Sequence, residues 1–200
     1  MVSFLRIFLP VFFLFYFGMT FVVKSLMTAK TIGKNPIVLP NDDSAYGLIG
    51  FYFRLTMLLL LGYVLVFAFI PSIYSYFLPI SELERDWVKL VGIGLLILSF
   101  GWVVIAQYQM RQSWRIGIDT EHKTELITTG LFSVSRNPIF LGMIFSLFGL
   151  FLATPNALTA LILVMGYVLI QIQIRLEEEF LSNQHGETYR QYKLKVRRLI

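Results

Sequence analysis

Residues 137–174 read NPIFLGMIFSLFGLFLATPNALTALILVMGYVLIQIQI, an unbroken run without a charged side chain. A membrane-crossing helix needs roughly 20 mostly apolar residues, so this run is too long for one crossing. Thr154-Pro155-Asn156 divides it, because proline ends the helix before it and can open the next. The stretch therefore reads as a tight hairpin of two antiparallel helices, about 138–153 and 157–175. Three further charge-free runs, Ile7–Val23, Leu55–Ser81 and Leu90–Met110, extend the pattern towards the N-terminus. They predict spans at about 4–23, 48–70 and 88–108. The first run is followed by no small-residue cleavage pattern and is kept as a span. The expected fold is all-α: an integral membrane bundle of about five helices with a C-terminal hairpin and an amphipathic cytoplasmic tail.

Composition agrees. Of 200 residues, 56% are hydrophobic, 16% aromatic and 14% charged, and the mean hydropathy is +0.71. An ordinary water-soluble domain does not have this balance, and little chain remains for a separate soluble catalytic domain. Cysteine is absent, which excludes thiolate metal sites and a cysteine nucleophile, and two histidines, His122 and His185, are too few for a metal centre. The net charge of +5 does not indicate nucleic acid, because the cations fall between apolar runs. Lys24, Lys30 and Lys34 follow the first span, and Arg111, Arg115, Lys123 and Arg136 follow the third. Arg175, Arg190, Lys193, Lys195, Arg197 and Arg198 follow the fifth, whereas only Arg6, Arg85 and Lys89 lie on the other side. The positive-inside rule then puts the first and third loops and the tail in the cytoplasm. Arg54, two turns into the second span, reads as a snorkelling side chain.

The hairpin brings the start of its first helix beside the end of its second, so Arg136 should neighbour Glu177-Glu178-Glu179. In Ser135-Arg136-Asn137-Pro138, Asn137 is a favoured N-cap and Pro138 fits the first helical position, leaving free N–H groups at a partially positive helix end. With the Arg136 fork, that end suits a carboxylate or phosphate. Thr128-Thr129-Gly130 adds hydroxyls and a turn position. Two readings remain open at this point: a ligand site, or a capped membrane helix whose arginine meets lipid phosphate. The three glutamates span most of a turn, so they cannot all face one ligand. Trp114-Arg115 reads as an interfacial anchor, and the tail from 177 to 200 as a helix on the membrane face, interrupted at His185-Gly186.

These residues resemble a known family. Thr128-Thr129-Gly130-Leu131-Phe132, Arg136-Asn137-Pro138-Ile139-Phe140-Leu141-Gly142, the hairpin, Glu177-Glu178 and His185-Gly186-Glu187-Thr188-Tyr189-Arg190-Gln191-Tyr192 look like the core of the isoprenylcysteine carboxyl methyltransferase and phospholipid methyltransferase family. The resemblance covers about 110–200, with Ser113-Trp114-Arg115-Ile116-Gly117 similar to bacterial members. The family usually carries histidine at the position of Asn137 and tyrosine at that of Phe140. The resemblance implies an S-adenosylmethionine-dependent enzyme in the inner membrane of a bacterium, and the cation distribution turns its site to the cytoplasm. It also implies a lipid or lipidated acceptor, either a carboxylate or an amine. Residues 1–108 would supply the lipid side and 109–200 the methyltransferase core. The site residues it points to are Arg136 and Glu178 for catalysis. For the cofactor it points to Thr129, Gly130, Leu131, Arg136, Asn137, Pro138, Glu177, Glu178 and Tyr189. Glu178 or Glu125 is the candidate proton acceptor for an amine.

Two other classes fit the hydropathy: a sterol-reductase-type enzyme using NADPH, and a small transporter or assembly protein. The short tail offers little basic surface for a 2′-phosphate. The lack of charge deep in spans one, three, four and five, and of an internal repeat, argues against a transporter.

Overall fold

The computed structural model describes residues 1–33, 37–38, 43–114, 116–117 and 125–200. Lys34, Arg115, His122 and Lys123 lie outside them. Among the described residues the regular structure is helical apart from a two-residue parallel pairing of β1 (Ile37–Val38) with β2 (Ile116–Gly117) and an isolated bridge between Pro79 and Asn156. Helix α1 (Val2–Phe17) passes through a π-helical stretch, Gly18–Val23, into α2 (Lys24–Ile32). It is followed by α3 (Ala45–Phe69), α4 (Asp86–Gln109), α5 (Pro138–Ala153), α6 (Ala157–His185) and α7 (Glu187–Lys195). Among the described residues, four helices are long and apolar enough to cross a membrane: Val2–Thr31, Ala45–Phe69, Asp86–Gln109 and Ala157–His185. Helix α5 is a shorter apolar helix of 16 residues.

The helices occupy the predicted places, but several ends differ. The first continues to Ile32 and α6 to His185, well past the charges at Lys24 and Arg175. Charge stops a helix from being lipid-embedded; it does not stop the helix, and lysine, arginine and glutamate are good helix formers. At 1.5 Å per residue, the 29 residues of α6 span about 43 Å against a hydrocarbon core of about 30 Å, so its last turns from Glu177 project beyond the lipid. Gly186 ends it with a φ of +53°. The tail therefore divides: 177–185 prolongs α6, and α7 turns back with Tyr189 and Tyr192 buried.

The ends of the bundle are tied differently. At the Pro155 end, Asn156 is fully buried. Its Oδ1 accepts from the Thr159 N–H at 3.0 Å, and its Nδ2 donates to the Tyr63 hydroxyl and the Thr154 carbonyl, both at 2.8 Å. The Ile80 N–H donates to the Pro155 carbonyl at 2.9 Å, fastening the connection between α3 and α4 onto the hairpin turn. Between the ends, α5 lies closest to α4. A Cβ at Gly92 would sit 2.5 Å from the Ala153 nitrogen, and one at Gly149 would sit 2.9 Å from the Gly92 carbonyl oxygen. Gly142, Ser146, Gly149 and Ala153 line the α5 side, and the Ser99 and Ser146 hydroxyls are 2.8 Å apart within the contact. Small residues let membrane helices approach closely, and packing replaces the hydrophobic effect as the source of association in lipid.

Gly92 and Gly94 separate close packing from helix propensity. Gly92→Ala drives a methyl group into the α5 backbone and is expected to cost about 1–3 kcal/mol. Gly94, with nothing within 4 Å of its would-be Cβ, is neutral or slightly stabilised by the same change. Thermal unfolding of the two variants in detergent checks the contrast.

Candidate functional site

The α5 start and the projecting part of α6 meet as the hairpin geometry requires. Arg136 donates from Nε and Nη2 to Oε1 of Glu178, at 3.0 and 2.8 Å. Arg198 donates from Nε and Nη2 to Oε2 of the same carboxylate, also at 3.0 and 2.8 Å. The Glu178 side chain is 4% exposed, Arg136 8% and Arg198 40%. Burial alone would raise the Glu178 pKa. The two guanidiniums outweigh it and hold the carboxyl below the usual carboxylate range. The triad carries one excess positive charge, beside the positive end of α5.

The segment before Arg198 is bonded to the same place. Arg136 donates from its backbone N–H to the Arg197 carbonyl at 3.0 Å. Its Nη1 donates to the carbonyls of Val196 at 2.5 Å and Lys193 at 3.3 Å. Asn137 donates from Nδ2 to the Arg198 carbonyl at 3.0 Å and more weakly to Glu178 Oε1 at 3.4 Å. Asn137 occupies the predicted N-cap position and its carbonyl accepts from the Leu141 N–H, but its side chain makes no capping bond. The amide is turned towards Glu178 and Arg198 instead. Pro138 supplies no N–H, and because no side chain caps the turn, the N–H groups of Ile139 and Phe140 are left as donors next to the triad.

The other predicted residues fall around this centre in different ways. Gly130 has a φ of +66°, and a Cβ there would lie 2.5 Å from the Gln109 side-chain oxygen. That oxygen accepts from the Leu131 N–H at 2.8 Å, so the turn is moulded on Gln109. Thr129 precedes it and is exposed. Pro138 is buried and its carbonyl accepts from Trp102 Nε1 at 2.9 Å. Tyr189 is 1% exposed, with the Tyr192 ring 6.0 Å away, and the Tyr192 hydroxyl donates to the Phe132 carbonyl at 2.5 Å. Glu177 faces elsewhere than Glu178. Its Oε1 accepts from Gln173 Nε2 at 2.8 Å, and burial, partly offset by that bond, pushes its pKa up to about 7. The Tyr46 hydroxyl reaches the Leu176 carbonyl at 3.5 Å, bringing the start of α3 to this level. Glu125 and Glu179 are exposed.

Trp114, expected as an interfacial anchor, is 3% exposed, with Lys24 Nζ 5.8 Å from its ring centre. Arg54 is exposed and donates from Nε back to the Gly50 carbonyl at 3.2 Å, the direction a snorkelling side chain takes. Sequence reasoning missed Arg198, Gln109 and Trp102. Arg198 was hidden in a basic run that reports topology, and Gln109 and Trp102 closed a span that read as generic.

Fold and side-chain cluster together define a helical membrane protein whose described polar groups gather at one mouth of a hairpin. The phospholipid methyltransferase family model matches residues 87–188, just over half the chain, and the protein belongs to that family. It is thus a membrane methyltransferase of a family that acts on lipid. The match takes in α4, α5 and α6 and ends inside α7, before Arg198. No curated protein matches the chain.

Removing one member of a buried ion pair leaves the other charge uncompensated, so Glu178→Ala should cost about 3–5 kcal/mol of stability. Glu179→Ala, at an exposed position one residue on, should stay within about 0.5 kcal/mol. Because the folded-state pKa of Glu178 is depressed, its contribution is complete above the ordinary glutamate pKa and is lost as pH falls through the lower folded value. Unfolding midpoints between pH 7 and pH 3 should show an acid loss of stability that Glu178→Gln reduces.

Proposed function

We propose that the protein transfers a methyl group from S-adenosylmethionine to a lipid or lipidated acceptor at the cytoplasmic mouth of the α5–α6 hairpin. The observation that carries this reading is the Arg136–Glu178–Arg198 triad, net positive and buried against the uncapped first turn of α5. The residues present fit the donor. Its α-carboxylate suits the unbonded N–H groups of that turn and the positive field behind them. Its ammonium or ribose diol suits Glu177, where Gln173 engages only one carboxylate oxygen. Thr129, Gly130, Leu131, Asn137 and Pro138 line the approach, and Tyr189 backs the triad. Bound there, S-adenosylmethionine would supply an electrophilic methyl group on a sulfonium.

The chain's own part is alignment and exclusion of water, which is most of what an in-line displacement asks of an enzyme. In this reading Arg136 and Glu178 are positioning residues, since their hydrogen bonds are spent on each other and on the tail. A carboxylate acceptor needs no base. An amine must shed a proton, which Glu178, with both oxygens committed to arginine, is not free to take, so the proton passes to the exposed Glu125 or to water. Residues 1–108 supply the lipid-side wall and 109–200 the core. The cation distribution supports the cytoplasmic orientation, in the inner membrane of a bacterium.

Calorimetry with S-adenosylhomocysteine tests the donor site, and absence of binding to the wild-type protein overturns it. Binding should weaken as pH falls from 8 to 6, because protonation removes the negative charge that strengthens what Glu177 accepts from the ammonium or diol. Glu177→Gln should bind more weakly at pH 8 and lose that pH dependence. Incubation with methyl-labelled S-adenosylmethionine and native membrane lipids should label a lipid product, whose headgroup identifies the acceptor.

A further inference from the structure

The least expected feature of the mouth is how much of it is built by six residues near the end of the chain. Backbone carbonyls of Lys193, Val196, Arg197 and Arg198 accept, between them, from the Arg136 guanidinium, the Arg136 N–H and the Asn137 amide. The Ser135 hydroxyl adds a longer bond to the Arg198 carbonyl at 3.4 Å. These bonds all end on Ser135-Arg136-Asn137, the tripeptide that leads into the first turn of α5. The Arg198 side chain then closes the loop by gripping the far oxygen of Glu178.

The chemistry of that grip is specific. A carboxylate buried to 4% exposure presents two oxygens, and Arg136 reaches only one of them. Without Arg198, Oε2 would be a buried acceptor carrying half a negative charge with no partner. The carboxylate would be expected to rotate or draw in water, and Arg136 and Asn137, both bonded to Oε1, would move with it. Arg198 is also the most exposed member of the triad at 40%, so its own burial adds little to the core. Its side chain does more for the orientation of the other two groups than for packing.

We infer that Arg198 is a positioning residue of the methyl-donor site, acting through Glu178 and Asn137 to fix the first turn of α5, with segment 193–198 as a strap across the mouth. The inference rests on the donor reading given above. It concerns a residue beyond the stretch matched by the family model. A planar fork bonded through two nitrogens is not reproduced by an ammonium, so lysine retains the charge but not the orientation.

The experiment is S-adenosylhomocysteine titration of full-length wild type, Arg198→Ala, Arg198→Lys and, as an exposed cation outside the strap, Lys30→Ala, at a temperature well below each unfolding midpoint. Losing the alignment of one hydrogen bond to a charged ligand group costs on the order of tenfold to a hundredfold in affinity. Arg198→Ala should therefore bind at least about tenfold more weakly, Arg198→Lys should recover part of that loss, and Lys30→Ala should stay within about twofold. A role in stability alone would lower the unfolding midpoint of Arg198→Ala while leaving the affinity of the folded protein unchanged. That result, with wild type binding normally, overturns the inference and leaves the donor site standing. Failure of wild type to bind overturns the donor site and the inference with it. Should Arg198→Ala not fold, Glu178→Gln/Arg198→Met, in which Arg136 keeps its backbone carbonyl partners and no carboxylate is left for Arg198 to orient, takes its place beside Glu178→Gln alone. Equal affinities in those two support action through Glu178, and a further tenfold loss in the double variant overturns it.

Discussion

A carboxylate buried where a membrane helix leaves the lipid stays charged only if donors meet both of its oxygens, and Glu178 obtains them from segments 42 residues before it and 20 residues after it. This constraint ties the end of α6 to the start of α5 and to the strap at 193–198. A buried ion pair is not by itself a source of stability, because desolvating the charges offsets much of their attraction. What the triad supplies is uniqueness of arrangement. Two guanidinium forks on opposite oxygens of one carboxylate leave the group little freedom to rotate, and the Lys193 and Val196 carbonyls hold the third nitrogen of Arg136.

The rest of the hairpin can be understood as what this contact demands. Helix α5 is 16 residues long and α6 is 29, so the two cannot end level. The surplus of α6 projects past the first turn of α5, carries Glu177 and Glu178 there, and stops at Gly186, where the chain reverses into α7. The reversal buries Tyr189 and Tyr192 against the triad and hands the chain to the strap. At the other end, Asn156 fixes the hairpin turn by bonds to Tyr63, Thr154 and Thr159, so α6 is held at both extremities and its register against α5 is set.

Much of this was legible in the sequence, for identifiable reasons. Charge-free runs located the helices because a charge at mid-bilayer is costly, and Thr154-Pro155-Asn156 located the hairpin because proline cannot continue the helix before it. The hairpin alone then placed Arg136 beside the 177–179 glutamates. Helix ends were not legible where the membrane ended before the helix did, at Lys24 and Arg175. Asn137 was read as a side-chain cap from its type, yet the cap bond lost to a charged acceptor, which only the fold brings near. Arg198 could not be found because its partner depends on a chain reversal at Gly186, and a basic residue among Lys193, Lys195 and Arg197 has a sufficient topological explanation.

The close seam between α4 and α5 completes the connection from packing to chemistry. Gly92, Gly142 and Gly149 let the two backbones come together, so α5 cannot slide or roll without driving side chains into α4. Trp102 and Gln109 project from α4 to the very segment that forms the mouth, one bonding the Pro138 carbonyl and the other the Leu131 N–H. Gln109 also fills the space that any side chain at residue 130 would occupy. The first turn of α5 is therefore referenced to α4 on one side and to Glu178 and the strap on the other. A short helix in lipid, lacking the hydrophobic effect as a restraint, needs both references before its terminal N–H groups can serve as a fixed set of donors.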